Sequence, residues 1–264
     1  SLSGVSLLNT GSGVVKPIIN GLHSSRVVLI NNGVRMEDQQ WGVEHAPNID
    51  ANSIGNLTLI KGAGTLQYSG DATGGIIVAE ASKVPVKDSL FGKTLISGFS
   101  NGRGLSINSK LTASNNKGWY TSLQGTFKRS GDTNAADYIL SNTGVLERNV
   151  SVHLGLNRFD YHVEAYFSLF KTEIGILRAS HLGGAQDQIR ALSSPVPLVI
   201  NEFTYDIIYP KQDVTHHLGR IKGFKRLGDF GKLSLQYDYQ RNNRLEFDIR
   251  RGDDKDKPAS DLQL

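Results

Sequence analysis

The sequence predicts a mainly β protein: a small α+β unit followed by long antiparallel strands of the transmembrane β-barrel type. Three observations carry that expectation. Beyond Pro85 the chain runs in alternating apolar and polar stretches far longer than the roughly five or six residues of a globular strand. The connections alternate too: short near positions 115, 157 and 229, long near 136, 193 and beyond 250. Outer-membrane barrels sort their periplasmic turns and outer loops in this way. Before residue 85, by contrast, short strands and single helical turns are punctuated by glycine, an α+β texture. One connection, at Asn101, is short where the sorting requires a long loop.

Composition sets the outer bounds. A chain of 264 residues holds one large or two ordinary domains, and the change of texture divides it into 1–84 and 85–264. The 29 basic and 25 acidic residues leave a net charge of +4 with no basic tract, so no nucleic-acid partner is expected. With 0 cysteines there are no disulfides, thiolate metal sites or thiol catalysis. No run of about eighteen apolar residues marks a transmembrane helix, and Ser1-Leu2-Ser3-Gly4 does not read as a secretory signal. A mean hydropathy of −0.28 with 29 glycines suits a barrel with a polar lumen and equally a soluble β protein.

In chain order, Val14-Val15, Val27 to Ile30, Leu57 to Ile60 and Ile76 to Val78 read as strands of the first unit. Residues 38–47 have no period and read as a loop, and Pro47 to Ile54 as one capped helical turn. About seven longer strands follow, beginning with 90–99 and 103–113 joined by Ser100-Asn101-Gly102. Trp119 to Arg129 is next. Leu146, Val150, Val152, Leu154 and Leu156 then share one face against Glu147, Asn149, Ser151 and His153. Phe159 to Leu169, a weaker Val214 to Phe224 and the long Lys232 to Ile249 complete the set, with a long loop over about 176–211.

The glycines at 62, 64, 70, 74 and 75, between two apolar runs, invite a nucleotide-loop reading. The spacing excludes it. Gly62-x-Gly64 lacks the third glycine of a dinucleotide fingerprint, and Lys61 precedes the glycines where a P-loop needs it after them.

What this stretch resembles is the end of the plug domain of TonB-dependent outer-membrane receptors. Leu57, Leu59, Lys61-Gly62, Tyr68, Gly70, Ala72, Gly74-Gly75 and Ile77 stand at that family's spacing, with Ser69 inserted before Gly70 and Val78 replacing a common asparagine. Lys16-Pro17-Ile18-Ile19-Asn20-Gly21 and Arg26-Val27 through Gly33-Val34 are similar to two further plug blocks, Asn20 replacing an arginine and Asn32 an aspartate. The resemblance implies a receptor whose barrel has 22 strands, so about seven strands form an incomplete barrel. It implies import of a metal or metal chelate (iron-siderophore, haem or zinc) across the outer membrane of a Gram-negative bacterium. Energy would be relayed by TonB, contacted through a segment outside this chain, and lipid would surround the barrel. No enzymatic turnover and no cofactor are expected. Lys16, Pro17, Gly21, Arg26, Gly33, Lys61, Gly62, Tyr68, Gly70, Gly74 and Gly75 would be structural residues of the plug, with Arg26 and Arg35 pairing with glutamates of the barrel wall.

Candidate substrate contacts also follow from the resemblance. Glu44-His45-Ala46 stands on the loop that meets the incoming substrate, where zinc- and haem-uptake members carry an acidic residue, histidine and alanine. Glu44 and His45 offer two ligands that a transition metal accepts. The alternative is that His45 caps the turn near Asn48 or hydrogen-bonds within the plug. Trp41 is a candidate for stacking on a chelate and His181, in a long outer loop, for a further ligand. Of His216 and His217 only one can face the lumen, because adjacent strand residues point to opposite faces. Trp119 and Tyr120 read as an interfacial aromatic girdle. The acidic and basic run 253–257 lacks the spacing of a calcium loop and reads as a solvated loop. No catalytic motif with recognisable spacing occurs. A soluble all-β binding or adhesion module with a small N-terminal domain is the competing reading, and a β-rich carbohydrate-active enzyme a more distant one.

Overall fold

The computed structural model describes residues 3–11, 13–37, 45–85, 87–180, 184–249 and 257–264. The N-terminal unit opens with the hairpin β1 (Val5–Gly11) and β2 (Val14–Ile19). It continues with β3 (Val27–Asn31), β4 (Val34–Arg35), β5 (Asn56–Ile60) and β6 (Gly75–Glu80), a mixed sheet in the order β4-β3-β6-β5. Strand β3 pairs parallel with β6 and is buried along its whole length, which is why Val27 to Ile30 is continuously apolar. On one side Val28 and Ile30 meet Ala72 and Ile76.

Asparagine-glycine pairs make two of the unit's turns. Asn20 and Gly21 have φ of 50° and 80°, and Asn32 and Gly33 have φ of 49° and 81°. Such left-handed pairs form the tight turns whose twist matches that of the adjoining strands. Asparagine tolerates this region better than arginine, a physical reason for Asn20 at the position where the resemblance leads one to expect arginine.

The second unit is one antiparallel sheet of eight strands whose sheet order follows the chain. Its strands are β7 (Ser89–Phe99), β8 (Gly104–Ser114), β9 (Trp119–Ser130), then, after the small hairpin β10 (Thr133–Asn134) and β11 (Ile139–Leu140), β12 (Val145–Asn157) and β13 (Tyr161–Gly175). A helix, α1 (Ala185–Ser193), lies in the long connection to β14 (Lys211–Arg226), which is followed by β15 (Lys232–Phe247) and β16 (Ser260–Gln263). Among the described residues the sheet thus has eight strands, where the sequence leads one to expect about seven. Strand β16 is four residues long and takes its shape from pairing with Asn243 to Glu246, a partner no local pattern reveals. Strand β1 is likewise set by its pairing with β2, and β14, expected to be weak, pairs along all sixteen residues.

The short turns 115–118, 158–160 and 227–231 lie at one end of the sheet. At the other end the long connection folds back over the short turn at 100–103. There Tyr205 donates to Arg103 O at 2.8 Å, and the Arg103 guanidinium lies 4.0 Å from the centre of the Phe203 ring.

The sheet is apolar on the face turned away from the N-terminal unit. Leu123, Val150, Leu154, Val163, Phe167, Ile221, Leu235 and Tyr237 all project outward and exposed. Gln124, Asn149, Gln212, His216, Asn242 and Arg244 alternate with this set, face the small unit and are buried. Leu235 is 79% exposed while Arg244, on the same strand, is 1% exposed, the reverse of a soluble sheet. No helix among the described residues is long and apolar enough to cross a membrane.

Candidate functional site

The small unit is held against the inner face of the sheet by two apolar contacts and a row of polar ones. Leu29, Val34 and Met36 pack on Tyr166 and Leu218, and Val14 packs on Val145 and Ile174. Residues 45–53 supply the polar row. His45 Nε2 lies 2.5 Å from Glu246 Oε1, and Asn48 Oδ1 accepts from Arg244 Nη2 at 3.3 Å. Asp50 Oδ2 accepts from Thr126 Oγ1 at 2.6 Å and from Gln124 Nε2 at 3.1 Å. The other oxygen of Asp50 accepts from Asn52 N at 2.9 Å and so caps the single turn Ala51–Ser53. One segment therefore reaches from β9 to β15. A cavity of about 280 Å³ lies beneath it, bounded by Ala46, Pro47 and Asn48 and by Lys128, Glu147 and Arg244 of the wall.

His45 thus bonds across to the wall. Trp41, Glu44 and His181 lie outside the described residues. So does most of the 253–257 run. Among the described residues no three His, Cys, Asp or Glu side chains are grouped to hold a metal ion. His216 is on the inner face and His217 on the outer, 6.3 Å from the Phe167 ring. Trp119 faces outward and exposed. Tyr120 instead faces inward, its hydroxyl donating to Glu164 at 3.1 Å, so only Trp119 suits an outer girdle.

The expected pairing of Arg35 with a wall glutamate is corrected. Arg35 pairs within its own unit: Nη2 donates to Asp71 Oδ2 at 2.7 Å, and Nε stands at ion-pair distance, 3.2 Å, from Glu37 Oε1. The Arg35 hydrogen bond, with a second from Ser69, holds the Asp71 carboxyl down to about 2. What Arg35 gives the wall is its backbone carbonyl, which accepts from Gln240 Nε2 at 2.6 Å. Arg26 closes a single helical turn, and its carbonyl accepts from Gly74 N at 2.8 Å. A Cβ on Gly74 would stand 2.9 Å from that oxygen, so the glycine is needed for this approach.

Lys16 is 4% exposed and donates to Ser24 at 3.3 Å. Burial first, and Arg244 second, lower its affinity for a proton. Pro17 pairs with Leu7 in the first hairpin. Lys61 donates to Ser3 O at 2.7 Å, and Gly62, with φ of 67°, starts the turn that ends at Tyr68. Gly75 has φ of 139°, whereas nothing lies within 4 Å of a Cβ placed on Gly70.

Residues 1–76 match the plug domain family of TonB-dependent receptors. Among solved structures, the copper transporter OprC is similar with a TM-score of 0.66 and 16% identity over 94% of this chain and 34% of that one. The FrpB iron transporter from Neisseria meningitidis gives 0.66 and 13% over 93% and 38%. The ferric citrate transporter FecA gives 0.66 and 14% over 94% and 37%. At such identities the likeness is one of fold, and this chain spans little more than a third of the length of each. No curated protein matches it in sequence.

Proposed function

We propose that this chain, which carries the plug domain of TonB-dependent receptors on a wall of their fold, serves to import a metal or metal chelate across an outer membrane. Residues 1–84 act as the plug and 85–264 as a section of the barrel wall. The observation that carries the reading is the orientation of the wall, apolar outward and polar toward the plug. A bilayer accepts such a face and water does not, which counts against the soluble binding module. Energy relayed through TonB would shift the plug against the wall, and the protein would release its cargo unchanged rather than turn it over.

Cargo capture is assigned to the segment containing Trp41, Glu44 and His45, with His181 in the long connection as a further contact. His45 supports this as the described residue that joins the segment to the outer half of β15. Neighbours whose names specify copper, iron and ferric citrate support metal or metal chelate as the cargo class, and Glu44-His45 favours a bare metal such as zinc.

Growth of a deletion strain on scarce iron, zinc or copper, with and without TonB, tests the transport reading. A TonB-dependent growth defect is expected on one metal source. Undiminished growth on all of them would sink it. Zinc titration of the full-length protein tests the site: His45→Ala is expected to weaken binding at least about tenfold, since loss even of an outer-shell partner of a ligand costs roughly 10–100-fold, and equal affinity would remove His45 from the site.

A further inference from the structure

On three strands of the wall the outward-facing series changes from apolar to cationic at nearly one height. Val150 gives way to Arg148 on β12, Leu169 to Lys171 on β13 and Tyr239 to Arg241 on β15. Arg148 and Lys171 are direct cross-strand partners, and Arg241 is the partner of His217 one rung below. Like charges directly opposite on a sheet repel. All three cations are exposed, and none forms an ion pair among the described residues. The neighbouring carboxylates on this face, Glu173 and Asp213, stand one rung further out, and Glu173 is taken by Lys211 at 2.6 Å. Leu233 to Arg241 rises about 3.4 Å per residue on a strand tilted by roughly 40°, a climb of about 21 Å from the short-turn end. That is close to the roughly 25 Å apolar band of an outer-membrane barrel, so the cations stand where the headgroup layer begins.

Directly below them the face is hollow. Phe167, Gly219 and Tyr239 stand side by side on one rung, and the glycine leaves a gap between the two rings. A cavity of about 320 Å³ lies there, bounded also by Leu154, Ile221 and Tyr237. A Cβ on Gly219 would meet only Tyr239 Cβ, at 3.8 Å, so no close approach of backbone requires glycine at this position. Unpaired cations above and an open apolar hollow beneath together complement an anionic amphiphile.

We propose that this face binds one phosphate-bearing lipid. Its headgroup accepts hydrogen bonds from Lys171 and Arg241 and offsets the repulsion between Lys171 and Arg148, while one acyl chain lies in the hollow over Gly219. A soluble phosphate would meet the cations and leave the hollow empty, and a neutral lipid would do the reverse. The site rests on the bilayer placement of the transport reading above.

Native mass spectrometry of the full-length protein in detergent tests it, with phosphatidic acid as the probe and phosphatidylcholine of the same chains as its neutral counterpart. One phosphatidic acid is expected to be held about tenfold more tightly than phosphatidylcholine. Each basic residue near an anionic lipid surface is worth roughly fivefold in affinity, so Lys171→Gln/Arg241→Gln should bring the two lipids within about twofold of each other. Gly219→Leu fills the hollow and should weaken both lipids while keeping the preference. Lys117→Gln/Lys225→Gln, at the short-turn end, should bind like the parent. The substituted cations are exposed and Gly219 has room for a side chain, so every variant is expected to melt like the parent. Equal retention of the two lipids by the parent, equal loss in both double variants, or undiminished binding by Gly219→Leu overturns the site. Displacement of the lipid by millimolar inorganic phosphate reduces it to a simple anion site and overturns the lipid assignment. Metal-limited growth separates the two readings. Normal TonB-dependent growth by a protein with no lipid preference overturns this site and leaves transport standing. A preference lost only in Lys171→Gln/Arg241→Gln of a protein that imports nothing supports the site and overturns transport.

Discussion

Arg220 of the wall lies directly against Gly33 of the plug: a Cβ on Gly33 would stand 2.6 Å from Arg220 Nη1. Gln236 Nε2 donates to the carbonyl of the same glycine at 3.1 Å. The tip of the β3–β4 hairpin is thereby seated on β14 and β15, and Gly33 meets two demands at once, a left-handed backbone and a side chain of no size.

These demands separate in a pair of variants. Gly21 shares the left-handed φ, but nothing lies within 4 Å of its Cβ position. Gly21→Ala is expected to cost about 1 kcal/mol of backbone strain, and Gly33→Ala about 1–3 kcal/mol more as Arg220 is displaced. Thermal melting in detergent measures both. Equal losses would show that the Arg220 contact contributes nothing.

Asp50 ties the plug to β9 and caps its own turn. Asp50→Ala is expected to cost about 1–3 kcal/mol, because Gln124 and Thr126 lose their acceptor at a buried site. Hydrogen exchange at Asn52 and Ser53 should quicken while β3 stays protected. Unchanged exchange would place the hold on residues 45–53 elsewhere.

The Arg35–Asp71 pair predicts a pH dependence. The Asp71 carboxyl, ordinarily 3.8, is held to about 2 in the folded plug. A lowered folded value stabilises fully above the unfolded value and is lost as pH falls through the folded one. The wild-type plug should therefore lose this contribution between about pH 4 and pH 2, and Asp71→Asn should lack it. Its size is small, since the Asp71 side chain is 55% exposed and solvent screens the pair. Parallel acid-melting curves for parent and variant would refute it.

Leu235 and Ser234 are neighbours on β15 that face opposite sides. Leu235→Arg puts a charge on the apolar face, a change that costs about 2–4 kcal/mol at a bilayer midplane and less toward its edges. Poorer membrane assembly is expected, read as a reduced heat-modifiable band on gels. Ser234→Arg, on the polar side, should assemble normally. If both assemble equally well, lipid does not cover this face.

Much of the wall was legible in the sequence because strand side chains alternate strictly. Leu123, Val150 and Leu154 could be assigned to one face and Gln124, Asn149 and His153 to the other before any fold was known. The plug's glycine blocks were legible through resemblance, and Gly33 and Gly74 prove to stand where a Cβ has no room. Strands β1 and β16 were not legible, since each is specified by a partner strand rather than by its own pattern. Arg35 is harder to place because an arginine's reach admits several carboxylates, and the fold brings it Asp71 and Glu37 of its own unit.

By itself, then, the sequence determined the long strands of the wall, the faces they present and the glycine turns, all of which depend on neighbours a few residues apart. Tertiary structure alone decided the pairings of plug with wall. His45 meets Glu246 across 201 residues, Asp50 meets Thr126 across 76, and Gly33 meets Arg220. Such contacts depend on how far up the wall the plug sits, and that height follows from packing Leu29, Val34 and Met36 against Tyr166 and Leu218. Local periodicity carries no information about it, because moving the plug by one rung changes every partner and leaves every strand as it was.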